Sequence, residues 1–154
     1  MTDSARRADT RDIVLDEIFP HAAPVLWRAL TDGELIGRWL MAPIGFAAVV
    51  GNRFTYQTTP AGAWDGVIRC QVLEVRPNER LVYSWTGGDA GNVGYGSKLD
   101  TLVSWTLSPV TGGTRLQMIH AGFVRELNDT AFENMSDGWG KVLIRLETLV
   151  SSLN

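Results

Sequence analysis

The sequence predicts an α+β domain in which one strand, two short helices and a run of antiparallel strands precede a single long helix. Three observations carry this. Residues 129 to 153 place Met135, Trp139, Val142, Leu143, Leu146, Leu149, Val150 and Leu153 at steps of one, three and four, the stripe of an amphipathic helix. Between residues 44 and 121 turn signals recur every eight to fifteen residues, and the segments between them favour strands. Between the first strand and that run, the apolar period is helical. Strands that succeed one another across short turns are mostly antiparallel, and helices segregated from them make the class α+β rather than alternating βαβ.

Residues 1 to 11 are polar and read as a flexible tail, with one domain over 12 to 154. Residues 12 to 19 are rich in β-branched and apolar types and are stopped by Pro20, which predicts a strand. Val25, Leu26, Ala29 and Leu30 follow at helical spacing, with Pro24 suited to a first turn and Gly33 to a C-cap. Residues 34 to 40 predict a second short helix, ended before Pro43. Residues 45 to 50 and 53 to 58 read as a hairpin turning at Gly51-Asn52. Residues 64 to 75 read as a long strand, and Leu81, Tyr83 and Trp85 alternate onto one face of the next. The loop over 86 to 98 is glycine-rich, and loops of this length often border a binding site. The last hairpin places Val103, Trp105 and Leu107 on one face and Leu116, Met118 and His120 on another, the surface for the terminal helix. Asn128 or Asp129 is suited to cap that helix, and Glu133, Asp137, Lys141 and Arg145 follow at intervals of four along another side. Gly138 and Gly140 flank Trp139 inside it, which predicts close approach of another element.

Composition excludes several classes. A net charge of -3 and a pI near 5.3 give no basic field for nucleic acid. No apolar run has the length of a membrane span, and the lone Cys70 leaves no internal disulfide, which fits a cytoplasmic protein. Two histidines, His21 and His120, lie far apart without paired carboxylates, so no metal and no other cofactor is expected. His21 reads as solvated, and Cys70 as a buried inert thiol. Asp65, Arg69 and Glu74 read as a solvated strand face.

Four phrases, in order along the chain, carry a family resemblance: Pro20-His-Ala-Ala-Pro-Val-Leu-Trp-Arg-Ala-Leu-Thr-Asp32 with Trp39 beyond it, Val72-Leu-Glu-Val-Arg-Pro-Asn-Glu-Arg-Leu-Val-Tyr-Ser-Trp85, Gly113-Thr-Arg-Leu-Gln-Met-Ile-His-Ala-Gly-Phe123, and Gly138-Trp-Gly-Lys-Val-Leu-Ile-Arg-Leu-Glu-Thr-Leu149. Together they resemble the helix-grip superfamily (START-related, birch-pollen-allergen-like, SRPBCC). Within it the chain is similar to the branch named for the C-terminal domain of the activator of the heat-shock-protein-90 ATPase. The resemblance implies a curved antiparallel sheet of about six to seven strands gripping the long helix, with a cavity between them open toward the short helices and loops. The glycine-rich loop is longer than the connection this resemblance implies.

Core packing explains each aromatic residue singly, but the set exceeds what core packing requires, so core and pocket readings stand side by side; Trp and Tyr pair a large apolar surface with a polar handle. Trp39, Tyr56, Trp64, Tyr83, Trp85, Trp105, Met118, His120, Phe123, Trp139 and Leu143 are therefore the candidate ligand-binding residues for a small hydrophobic molecule, with His120 or Tyr83 orienting it. His120 admits two readings: a hydrogen-bonded strand-to-loop corner, which is preferred, or a general base in a cyclase- or hydrolase-like enzyme. A third reading is a co-chaperone-like partner of a heat-shock-protein-90 homologue, for which no surface motif speaks. Ile144 lies off the apolar stripe, an isolated exposed residue or a homodimer contact.

Overall fold

The structure, a computed structural model, describes residues 9 to 153. Strand β1 (Thr10–Phe19) leads into helices α1 (Ala23–Thr31) and α2 (Gly33–Trp39). Strands β2 (Arg53–Gln57), β3 (Val67–Arg76), β4 (Arg80–Gly87), β5 (Leu99–Val110) and β6 (Gly113–Val124) follow, and helix α3 (Asp129–Leu153) ends the domain. The six strands form one antiparallel sheet in the order β1-β6-β5-β4-β3-β2. This is the helix-grip arrangement expected from the sequence.

Alternation decides which face is buried. In β5, Val103, Trp105 and Leu107 are buried and stand opposite His120, Met118 and Leu116 of β6, so the two expected faces are one surface. Over this surface lies α3, with Trp139, Val142, Leu146, Leu149 and Val150 buried, and Leu143 buried on the flank that faces β1. The short helices complete the layer. Asp32, rather than the expected Gly33, is the C-cap of α1, and its side chain also caps α2, accepting from the backbone N–H groups of Glu34 and Leu35 at 3.0 and 3.3 Å. The buried indole of Trp39 donates to the Ala29 carbonyl at 2.9 Å and so fixes α2 against α1.

Several local expectations are corrected. Thr10 and Arg11 belong to β1, paired with Val124 and Phe123, rather than to the N-terminal tail; residues 1 to 8 lie outside the described residues. The Arg11 guanidinium sits 3.9 Å from the Phe132 ring centroid and bonds Asp129 at 2.9 Å, which holds this end of the strand to α3. The hairpin over 45 to 58 keeps only its second strand, β2, because the Asn52 side chain closes the preceding segment on itself. It accepts from Ala47 N–H and donates to the Gly45 carbonyl, both at 3.0 Å, replacing the bonds a partner strand would make. The long strand begins at Val67 rather than Trp64, since residues 61 to 64 form a tight turn and Asp65 binds the Val67 N–H.

Asn128 takes the N-cap position, its backbone carbonyl accepting from the Phe132 N–H at 2.8 Å, but the side chains of Asn128 and Asp129 bond elsewhere. The Asn128 amide donates to Ser97 Oγ and the Lys98 carbonyl at 3.0 and 2.9 Å, while its oxygen accepts from Val124 N–H; Asp129 accepts from Glu126 N–H and Arg11. Both side chains thus tie the start of α3 to chain that precedes it. His21 is not solvated: its side chain is 7% exposed and bonds Glu147 of α3 at 2.8 Å, because β1 ends beneath the last turns of that helix. No element closes on Gly138 or Gly140, where an added Cβ would meet nothing within 4 Å. Ile144 is exposed, and Asp137 and Lys141 pair at 3.0 Å. Cys70 is buried, and burial pushes its thiol up to about 12. Arg69 with Asp65, and Glu74 with Arg76 and Arg80, pair on the outer face. Among the described residues no helix is long and apolar enough to cross a membrane.

Candidate ligand-binding site

Sheet and helix pack closely along the C-terminal half of α3 but separate along its first turns. There Ile68, Trp85 and Leu99 from the sheet, Ala131 and Met135 from α3, and Trp64 before β3 bound a pocket of about 270 Å³. A second space of about 180 Å³ shares Met41, Trp85, Asn134 and Met135 with it and runs to Trp139 and Val142. Among the described residues no Asp, Glu, Lys, Arg or His side chain lines either one.

One wall is the glycine-rich loop, and its glycines are required by geometry. Gly88, Gly94 and Gly96 have φ of +76°, +75° and +84°, and a Cβ on Gly88 would lie 2.1 Å from the Ser97 carbonyl oxygen. The loop is fastened across the pocket mouth to residues 59 to 61. The Tyr95 hydroxyl donates to the Thr59 carbonyl at 2.7 Å, the Asn92 amide to the Ala61 carbonyl at 2.8 Å, and the Tyr95 ring packs 5.9 Å from that of Trp64.

Behind the pocket runs a buried polar chain linking α3 to the sheet. The Trp139 indole N–H donates to His120 Nδ1 at 3.0 Å, and His120 Nε2 meets Thr101 Oγ1 at 2.8 Å. The Thr101 hydroxyl proton is given to the Trp85 carbonyl at 2.7 Å, so Thr101 accepts from His120 and the imidazole is the neutral Nε2–H tautomer. Desolvation pulls the His120 pKa down to about 3, and both ring nitrogens are engaged. Tyr56 and Tyr83 are likewise kept protonated, their pKa raised first by burial.

Indole donors elsewhere in this region are satisfied: Trp39 by Ala29, Trp64 by the Val67 carbonyl at 3.0 Å, Trp105 by the Tyr83 hydroxyl at 3.1 Å, and Trp139 by His120. Trp85 differs. It lines both spaces, yet its buried Nε1 has no hydrogen-bond partner among the described residues.

The family model described as Activator of Hsp90 ATPase homolog 1-like protein matches residues 21–151. The chain belongs to this family. Among solved structures it is similar to protein MLL2253 from Mesorhizobium loti, at 33% identity and a TM-score of 0.79, covering 94% of this chain and 99% of that one. It is also similar to CalU16 from Micromonospora echinospora, at 25% identity and a TM-score of 0.71, covering 92% of this chain and 77% of the other. The Bacillus halodurans protein BH1534, at 21% identity, TM-score 0.70 and coverage of 91% and 96%, shares the fold. No curated protein matches the sequence.

In this Activator of Hsp90 ATPase homolog 1-like chain the candidate residues separate into three groups. Trp64, Trp85 and Trp139 stand in the pocket walls. Trp39, Tyr56, Tyr83, Trp105, Met118, His120 and Phe123 are buried in the core beside the walls, in an edge-to-face array that includes Trp39–Trp105 at 5.5 Å and Trp105–Trp139 at 5.8 Å. Leu143 lies on the opposite flank of α3, in an outer groove against β1. The sequence reading did not name Met41, Ile68, Ser97, Leu99, Ala131 or Asn134 as candidates. Ala131 sits one turn before Met135, and that i, i+4 spacing is the signal that places it on the inner face.

Proposed function

We propose that the protein binds a small hydrophobic or aromatic molecule in the pocket under the first turns of α3. The observation that carries this reading is a space of about 270 Å³ in which the sheet and the helix do not close, bounded mainly by Trp64, Ile68, Trp85, Leu99 and Met135 and, among the described residues, free of charged side chains. Burying about 200 Å² of ligand at about 25 cal/mol per Å² contributes about 5 kcal/mol before the costs of association. A Kd of about 0.2 mM or weaker follows for a rigid ligand. His120 does not support the cyclase- or hydrolase-like alternative: it stays neutral, its Nδ1 lone pair is taken by Trp139, and it lines neither space. The co-chaperone-like alternative rests on the family description alone.

Equilibrium dialysis with small neutral aromatics such as fluorene and fluorenone tests the reading. Wild-type protein takes them up, while Ala131→Trp, which places an indole in the pocket from the exposed end of α3, keeps its circular dichroism spectrum and loses uptake at least about tenfold. Uptake by neither protein, or equal uptake by both, overturns the proposal.

A further inference from the structure

We infer that the ligand carries a hydrogen-bond acceptor, such as a carbonyl or ether oxygen, on an otherwise apolar and uncharged frame, and that the indole N–H of Trp85 selects it. The inference rests on the pocket reading above and adds the chemical class and the residue that recognises it.

Trp85 is 2% exposed and belongs to the walls of both spaces. Its Nε1 is a buried donor without an acceptor, whereas the four neighbouring indoles at positions 39, 64, 105 and 139 each donate to a carbonyl, a hydroxyl or a ring nitrogen. A buried donor left unpaired is costly, and an acceptor brought by a ligand removes that cost while a hydrocarbon does not. Other polar groups in the wall are already engaged. The Thr58 hydroxyl donates to the Gly66 carbonyl, the Tyr95 hydroxyl to the Thr59 carbonyl, and Ser97 Oγ accepts from Asn128. Asn134, the remaining polar side chain, is exposed at the mouth.

Among the described residues no Asp, Glu, Lys, Arg or His side chain lines the pocket, and this sets the second half of the class. A carboxylate or an ammonium group entering here would lose its hydration and meet no counter-ion, which disfavours charged ligands. His120 offers none, because its ring nitrogens are held by Thr101 and Trp139.

Fluorene and fluorenone have nearly the same shape and differ by one carbonyl, so their affinity ratio reads the donor directly. In equilibrium dialysis the wild-type protein binds fluorenone about tenfold more tightly than fluorene. Trp85→Phe keeps an aromatic ring, removes the N–H, and brings the ratio close to one with little change for fluorene. Fluorene carboxylate binds at least about tenfold more weakly than fluorene. Equal wild-type affinities for the two neutral compounds, with both excluded by Ala131→Trp, overturn the role of Trp85 and leave the pocket reading standing. A preference that survives Trp85→Phe has the same meaning. Carboxylate binding as tight as that of fluorene overturns the uncharged class, and no uptake of any compound overturns both readings.

Discussion

His120 admits a structural and a chemical reading from the sequence, and in the structure both of its ring nitrogens have side-chain partners. The alternation of Leu116, Met118 and His120 is legible in the sequence and puts the imidazole on the inner face. The partners are not, because Thr101 and Trp139 reach it from β5 and α3, 19 residues away in each direction. The expected backbone bond at a corner is replaced by two side-chain bonds in the core. Since the folded pKa lies near 3, below an unfolded value of about 6.5, the unfolded chain gains a proton that the folded one refuses. Stability from this group is complete above about pH 6.5 and falls by about 1.4 kcal/mol per unit as pH drops from there toward 3. His120→Gln, which does not titrate, therefore loses less stability than wild type between pH 7 and pH 4 in urea melts. At pH 7 the same variant is less stable by about 1–3 kcal/mol, because the Trp139 donor loses its acceptor.

The terminal helix follows its sequence pattern most closely of all the elements. Its bounds, Asp129–Leu153, are those the apolar stripe predicts, since helical periodicity is a property of adjacent turns and needs no knowledge of the partner. Gly138 and Gly140 are the exception within it. An interior glycine costs helix stability, and the expected compensation from a closely packed neighbour is missing. Gly138→Ala and Gly140→Ala each raise stability by about 0.5–1 kcal/mol in chemical denaturation, with the Gly138 change also narrowing the smaller space beside Trp139. The segment before β2 teaches the opposite lesson. Residues 45 to 50 have strand-like composition, but Asn52 satisfies their backbone locally, and side-chain closure of that kind leaves no periodic trace.

The molecule as a whole is held by one layer of side chains between the sheet and α3. Leu146 lies within it, fully buried, and the short helices α1 and α2 pack against α3 beside the sheet. Leu146→Ala costs about 2–5 kcal/mol, and the circular dichroism and tryptophan fluorescence transitions of that variant shift together, as expected if helix and sheet unfold in one step. Separate transitions would show that α3 folds independently of the sheet.

Sequence pattern alone was enough for the class, the element order, the burial of the inner face and the terminal helix, because periods of two and 3.6 residues are written in consecutive side chains. It did not locate the pocket. Eleven candidate residues were drawn from one aromatic and apolar set, and tertiary packing placed seven of them in the core, three in a wall and one on an outer groove, a division that depends on which volumes meet across the layer. The unpaired N–H of Trp85 belongs to the same category. Of the six tryptophans, the five buried indoles are alike in sequence, and among the described residues only the surrounding acceptors distinguish Trp85, which has none.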